Sequence, residues 1–544
     1  MSDWGDQWPE MRQEAHFGDR VVTCFQHRPL SLYALLQEAF KSNPTGEALV
    51  CGPERLRYDE LIKQSSQLAT GLARRGVKAG DRVAMLLGNR NEFVVTLFAL
   101  AHLGAIAVPI SIREQAPGLA YMLSHCAAVM VVHEADLSPL LPSTVDAPAL
   151  QHRVAMAACE GSELFASLLE DGVVPPIHEV AEEDTAVILY TSGTTGRPKG
   201  AMLTHLGIVH SSLHYQIAMD LKASDASIAA VPLSHVTGLI ALITTLTLVA
   251  GKLVIMPSFK AADFLMLAER EGMTHTLMVP AMYNLCLLQS DFDQYNLSRW
   301  RIGAFGGAPM PVATIERLAQ SVPSLMLMNC YGSTESTSPS TIMPSGQTAA
   351  HNDSVGLPLV YAEIRIMDDN GREVPPNVLG EIWIKGPHVV PGYWDNLEAT
   401  QANFTGGFWR SGDIGSMDAQ GYVKVVDRKK DMINRGGYKI FTIEVENALY
   451  AHPTVQECAV VSKPCPVLGE RVHAFVMLKT AEAVEDELRE FCRTRLSDYK
   501  VPESFTFSTT PLPRNANGKL VKKEMRDQLL KSLALNDSSS VRPA

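Results

Sequence analysis

Across residues 31–134 the chain alternates two hydrophobic rhythms. SLYALLQEAF and YDELIKQSSQLATGLARRG repeat apolar residues at the spacing of one helix face, whereas DRVAMLLG, the end of EFVVTLFALAHLGAIAVPI and AVMVVHE are short apolar runs. Strands separated by helical segments are the pattern of βαβ units, whose parallel sheet is covered on both faces. The alternation returns after Thr185 through GKLVIMP, MTHTLMVP and SLMLMNCYG, so a large α/β architecture of stacked layers is expected. From 361 to 426 the pattern changes to AEIRIMDDNGREV, GEIWIKG and GYVKVVD, joined by Gly, Asn and Asp. Turns such as Asp369-Asn370-Gly371 favour hairpins, so this part is expected to be antiparallel and barrel-like. The charge run DRKKDMINRGGYKI follows, then a helix, strands at ECAVVS and RVHAFVML, and an amphipathic helix at VEDELREFCRTRL. The expected organisation is a large domain over 1–429 and a small α+β domain over 430–544.

Residues 231–251, VPLSHVTGLIALITTLTLVAG, contain no charge and imitate a membrane span, but Pro232, Ser234, His235 and several threonines interrupt it. A buried helix behind a polar loop is expected instead. The acidic, polar N-terminus is unlike a secretory signal, and nine cysteines without a C-x-x-C pair read as reduced thiols, so a cytoplasmic protein is expected. A formal net charge of -12 argues against binding nucleic acid through its backbone. With 46% hydrophobic and 19% charged residues, the composition is that of a globular enzyme.

The chemistry starts in ILYTSGTTGRPKGAMLTHLG, residues 188–207. Every residue from Thr191 to Gly196 is a hydroxyl residue or a glycine, and Arg197 and Lys199 follow. The loop is placed between a strand at 186–190 and a helix beginning near Thr204. Backbone N–H groups, hydroxyls and a lysine in that arrangement suit phosphate oxygens. The order of a Walker A loop is absent.

YTSGTTGRPKG resembles the phosphate loop of the adenylate-forming superfamily, which includes acyl-CoA synthetases, luciferases and the adenylation domains of peptide synthetases. YGSTE (331–335), SGD (411–413), DRKKDMINRGGYKI (427–440) and PRNANGK (513–519) match its other signatures in order, along almost the whole chain. The resemblance implies ATP, Mg²⁺ and CoA. It implies that Thr191, Ser192, Gly193, Thr194, Thr195, Gly196 and Lys199 surround the β- and γ-phosphates, with Tyr331, Gly332 and Thr334 in the nucleotide site. Glu335 would help hold Mg²⁺, Asp413 would take the ribose hydroxyls, and Arg428 would contact the ribose or phosphate side. Gly307, Ala308 and Pro309 would line the adenine and acyl pockets, His235 would gate the acyl site, and Lys519 would be the catalytic lysine of adenylation. Lys430 resembles the hinge of a mobile C-terminal domain, and Gly437 resembles a glycine lining a thiol tunnel.

A carboxylic acid is a poor acyl donor until it is joined to a better leaving group, and AMP serves. Attack of the acid on the α-phosphorus accumulates negative charge, which a lysine and a metal ion offset. CoA is the expected acceptor, with Arg435, Lys439, Arg471 and Lys500 as candidate cations for its phosphates. A carrier protein is the alternative, and a luciferase-like oxygenase stands third.

The expected acyl wall comprises Val236, Gly238, Leu239, Ala304, Phe305, Gly306, Asn329, Cys330 and the STSPS segment after Glu335. Its neutrality argues against a second carboxylate or an amino group on the substrate. Ala304 stands where hydroxycinnamate ligases carry a lysine, which counts against that substrate. Gly306 and Gly307 are expected to leave open space. A medium- or long-chain fatty acid is the first expectation and an aromatic or branched acid the second. A homodimer is compatible with the sequence and not required by it.

Overall fold

The computed structural model describes residues 4, 8–191, 197–308, 310–479, 485–514 and 520–540, with 534–540 described by backbone alone. The chain divides into two compact units, one of residues 1–365, 383–410 and 418–423, the other of residues 366–382, 411–417 and 424–544.

Two sheets form the first unit. One runs in the order Lys199–Thr204, Thr185–Thr191, Ile106–Pro109, Arg82–Leu86, Met130–His133, His152–Ala155, Glu163–Leu164. The other runs Leu357–Pro358, Thr341–Ile342, Met326–Tyr331, Ile302–Gly306, His275–Met278, Ala226–Ala229, Lys252–Ile255, Glu47–Cys51, Glu54–Arg57. The central strands of both are parallel and buried on both faces, which is why they read as unbroken apolar runs. The helix Asn91–His102 is apolar on nearly every face, and all of its residues but Glu92 are buried. Ala226–Ala229 is followed in the chain by Lys252–Ile255 on one side of it, and then by His275–Met278 on the other. At such a switch the connections diverge and leave a crevice at the carboxyl ends of the strands.

Four features go beyond the sequence reading or depart from it. A hairpin of Met11–His16 and Arg20–Phe25 precedes the α/β pattern. The phosphate-loop candidate does not lead straight into a helix: the strand Lys199–Thr204 pairs antiparallel with Thr185–Thr191, and only then does the helix His205–Ala218 begin, capped by Thr204. The charge run folds as a second hairpin, Ile433–Arg435 and Tyr438–Ile440, with Gly436-Gly437 as its two-residue turn. Asp413 lies inside the strand Phe408–Met417, directly after Gly412 with its positive φ of 70°.

The apolar segment at 231–251 is a buried helix, as expected, but its first part is a wide π-helix, Thr237–Thr244, followed by Thr245–Leu248. Thr244 and Thr245 both donate their hydroxyls to the carbonyl of Ile240, at 2.9 and 2.8 Å. Among the described residues no helix is long and apolar enough to cross a membrane.

Residues 363–428 supply a five-stranded half-barrel-like sheet, ordered Glu363–Met367, Gly380–Lys385, Phe408–Met417, Phe404–Thr405, with Val423–Arg428 beside Phe408–Met417. In the second unit a C-terminal sheet orders Tyr438–Ile440, Ile433–Arg435, Gly469–Leu478 and Val455–Cys465, with Ser504–Ser508 parallel to Gly469–Leu478. Its core joins Ile433, Val460 and Val472 to Leu449 and Leu488 of the helices Thr442–Tyr450 and Glu485–Arg493. This is the small α+β element expected after the half-barrel.

Candidate active site

In the first unit Thr191 and Lys199 face each other across the hairpin, so both ends of the intervening loop come together. Ser192, Gly193, Thr194, Thr195 and Gly196 lie outside the described residues. Tyr393 reaches the same place because Ala201 bridges to it and Trp394 N–H donates to the Gly200 carbonyl at 2.7 Å. The Lys199 ammonium is 4.7 Å from the centre of the Tyr393 ring.

Glu335 completes the cluster. It sits in the short 3₁₀ turn Thr334–Ser336, where Ser333 and Ser336 form a reciprocal cap. Its Oε1 accepts hydrogen bonds from Tyr393 OH at 2.9 Å and Thr191 Oγ1 at 3.3 Å, and its Oε2 accepts from Ser333 Oγ at 2.9 Å. Burial, and after it Glu335, raises the Tyr393 hydroxyl well above the usual phenol range, so the tyrosine remains a donor. The three hydrogen-bond donors orient the Glu335 carboxylate. An oriented, oxygen-bearing carboxylate of this kind suits a hard divalent cation such as Mg²⁺. Tyr331 ends the strand Met326–Tyr331, and Gly332 and Thr334 follow it directly.

The adjacent strand Ile302–Gly306 ends in register with it, Gly306 opposite Cys330. A side chain at Gly306 would lie 2.3 Å from the Cys330 carbonyl, so the expected open space is not there. It is at Gly307, whose Cβ would meet nothing nearer than Val279 at 3.9 Å and whose φ is +78°. Ala308 is exposed, and Pro309 lies outside the described residues.

His235 follows Ala226–Ala229 at the switch point and is half-buried. Its Nδ1 accepts the Thr237 N–H at 3.3 Å, which leaves the neutral ring's hydrogen on Nε2. Gly238 is needed where it stands, since a Cβ would come within 2.3 Å of the Pro232 carbonyl. Val236, Leu239, Ala304, Phe305, Asn329 and Cys330 are all buried. In the STSPS segment Ser340 donates to Ser336 at 2.8 Å and Tyr215 and Ser338 lie 3.1 Å apart, while the Thr337 hydroxyl is buried without a hydrogen-bond partner among the described residues.

In the second unit Asp413 is buried, and its Oδ1 is 2.7 Å from Arg428 Nε. A carboxylate is an acceptor-only group able to take hydroxyl donors. Gly437 has φ +95°, and nothing lies within 4 Å of where its Cβ would be, so the turn itself accounts for glycine there. The four candidate cations for CoA phosphates all carry carboxylates: Arg435 and Arg471 share Glu503 (2.8 and 3.1 Å), Lys500 pairs with Glu444 (2.7 Å), and Lys439 is 3.8 Å from Asp369. Lys519 lies outside the described residues, although Arg514 and Leu520 bridge on either side of its segment. Tyr393 and Ser333 are the contacts that the sequence motifs did not single out. Ser333 stands inside YGSTE and was within reach of a capping argument, whereas Tyr393 carries no local signal.

The profile of the AMP-binding enzyme family matches residues 36–394, and that of the AMP-binding enzyme C-terminal domain matches 444–519. The chain belongs to the AMP-binding enzyme family. It is an enzyme of the AMP-forming acid–CoA ligase and adenylate-forming class. This AMP-binding enzyme is 35% identical over 487 residues to a feruloyl-CoA synthase of Amycolatopsis sp, covering 89% of this chain and 96% of the relative. It is 31% identical over 478 residues to the long-chain-fatty-acid–CoA ligase FadD13 of Mycobacterium tuberculosis, covering 87% and 93%. The crystal structure of the anthranilate CoA ligase AuaEII in complex with anthranoyl-AMP matches with a TM-score of 0.85 at 25% identity, covering 93% of this chain and 99% of that one.

Proposed function

We propose that the protein joins a neutral monocarboxylic acid to AMP with release of pyrophosphate, then passes the acyl group to the thiol of CoA with release of AMP. The observation that carries the reading is the cluster of Thr191, Lys199 and Glu335 around Tyr393 at the mouth of the hydroxyl-rich loop. Thr191, Lys199 and residues 192–196 bind the triphosphate, with Thr334 and Gly332 beside it. Glu335 is the ligand for Mg²⁺, which supplies charge neutralisation at the phosphates when bound. Asp413, steadied by Arg428, takes the ribose hydroxyls. His235 stands at the entrance to the acyl wall, presenting Nε2–H, and Lys519 offsets the charge that accumulates at the α-phosphorus. For the second step, Gly437 and Lys439 border the path of the thiol. Lys430 allows the C-terminal domain to turn between steps, and the boundary near 430 belongs to the same proposal.

The neutral wall supports an acid without a second charge, and a medium- or long-chain fatty acid is the first reading. An aromatic acid is the second, favoured by the feruloyl-CoA synthase relative and the anthranoyl-AMP complex. A cytoplasmic setting is part of the proposal and is supported by nine free cysteines.

The test is a panel of alkyl and aryl carboxylic acids with ATP and Mg²⁺, each with and without CoA, followed for AMP and thioester. Thioester and AMP appearing together only with CoA supports the reading, and the best acid gives the substrate class. Pyrophosphate exchange with an acid but no thioester moves the acceptor to a carrier protein. If no acid supports either activity, the proposal fails.

A further inference from the structure

The N-terminal hairpin buries an arginine where its charge meets peptide groups. Arg20, the first residue of the strand Arg20–Phe25, is 7% exposed. Its Nη1 donates to the carbonyls of Val389 and Val390, at 3.3 and 3.1 Å, and its Nη2 donates to the carbonyl of Pro391 at 3.1 Å. Asp19, its ion-pair partner, is 4.0 Å away and largely exposed. The ring centres of Phe17 and Phe404 lie 5.1 and 5.9 Å from the guanidinium carbon. Burying a guanidinium is unfavourable, and an apolar side chain would close the hairpin on this face without that desolvation, so the arrangement is better explained by the carbonyls it fixes. The planar fork of arginine spans successive carbonyls, a geometry that the single point of an ammonium does not reproduce.

Those carbonyls belong to the stretch that closes the nucleotide site. Val390 N–H donates to the Glu335 carbonyl at 3.0 Å, and the Gly392 carbonyl accepts the Met202 N–H at 3.2 Å. Tyr393 and Trp394 follow, the first with its hydroxyl on the Glu335 carboxylate and the second with its N–H on the Gly200 carbonyl. The stretch is therefore bonded to the turn of Glu335 and to the strand Lys199–Thr204, and Arg20 holds it from the hairpin. All of these residues belong to the first unit. Without the guanidinium the carbonyls of 389–391 lose these donors, and the freedom that returns passes to Tyr393 just beyond them.

We infer that Arg20 is a positioning residue for the nucleotide site: by fixing the carbonyls of 389–391 it sets where the Tyr393 hydroxyl meets the Glu335 carboxylate. The inference rests on the proposed role of Glu335 as the Mg²⁺ ligand.

The experiment compares Arg20→Met, Tyr393→Phe, their double variant, Arg28→Met and Glu335→Gln in the full chain. The readouts are the Mg²⁺ needed for half-maximal pyrophosphate exchange with the best acid of the panel, the affinity for ATP with Mg²⁺ by calorimetry, and thermal melting. Misplacement of a positioned group by a fraction of a bond length is costly, so Arg20→Met should raise the Mg²⁺ requirement about 10-fold and weaken the binding of ATP with Mg²⁺. Because Arg20 acts through Tyr393, the same change made on Tyr393→Phe should add no more than about twofold. Arg28, which ties Glu14 of the same hairpin to Glu182, is the comparison for stability alone: Arg28→Met should lower the melting temperature and leave both Mg²⁺ readouts as in the parent. If a methionine variant does not fold, Arg20→Lys and Arg28→Lys carry the comparison, and Arg20→Lys should give the same shift at reduced size. A full additional effect on the Tyr393→Phe background, equal shifts from Arg20 and Arg28, or an unchanged Mg²⁺ requirement in Arg20→Met overturns the inference. If Glu335→Gln alone shifts the Mg²⁺ readouts, only the positioning role fails. If Glu335→Gln leaves them unchanged, the proposed role of Glu335 fails and the inference with it. Should no acid of the panel support exchange, calorimetry reads the same comparisons, so the proposed reaction and the positioning role fail separately.

Discussion

Glu335 is oriented by hydroxyl donors of Tyr393, Thr191 and Ser333, so removing one donor perturbs its direction. A hydrogen bond to a charged group is worth about 1.5–3 kcal/mol, so Tyr393→Phe should slow pyrophosphate exchange by roughly 10- to 100-fold and raise the Mg²⁺ needed for half-maximal rate. An exchange rate and Mg²⁺ dependence like those of the parent would detach Tyr393 from the site. The two adjacent glycines separate in the same way. Gly306→Ala drives a methyl against the Cys330 backbone, and overpacking of this kind costs about 1–3 kcal/mol, read as a lower melting temperature. Gly307→Ala has room and suffers only its left-handed φ, about 1–2 kcal/mol, while placing a methyl where the acyl group is proposed to lie. Its expected signature is therefore a raised KM for the larger acids of the panel. Nothing in the sequence distinguished these two glycines, because the close approach at Gly306 comes from a strand some twenty residues further along the chain.

At the level of elements, long periodic segments were legible and short strands were not. The helices Leu32–Ser42 and Tyr58–Arg74 and the central parallel strands follow from hydrophobic spacing alone. Lys199–Thr204 was hidden because it opens with Lys-Gly and ends at a helix cap, so its residues read as loop and helix start. The hairpin around Gly436-Gly437 was hidden by charge: each of its strands has three residues, and only Ile433 and Ile440 are buried. A two-residue turn with positive φ at both positions demands glycine. Gly437→Ala should thus cost about 1–2 kcal/mol through its backbone. If Gly437 also borders the thiol path, acylation from the adenylate should fall while pyrophosphate exchange holds. Equal effects on both half-reactions would leave the turn as its whole role.

Across the whole molecule, buried histidines set the response to acid. Burial holds His205 and His275 at about 4 and His210 and His388 at about 3. Two of them act as acceptors that dock the N-terminal segment on the helix His205–Ala218: His205 takes the Leu32 N–H at 3.0 Å, and His210 takes the Phe25 N–H at 3.1 Å. In the unfolded chain each gains a proton below about pH 6.5, whereas the folded protein resists it until pH 4 or lower. Stability is therefore full above pH 6.5 and is lost as pH falls from there toward 4, by roughly 1.4 kcal/mol per pH unit for each such histidine. The urea midpoint should drop steeply between pH 7 and about 5, and a flat profile would contradict the burial of these rings. The central claim, that the acid is activated as an acyl-adenylate, is tested most directly with a carboxylic acid whose carboxylate carries heavy oxygen. After turnover with ATP, Mg²⁺ and CoA, mass spectrometry should find one labelled oxygen in the phosphate of AMP. Label in inorganic phosphate, or unlabelled AMP alongside thioester, would contradict it.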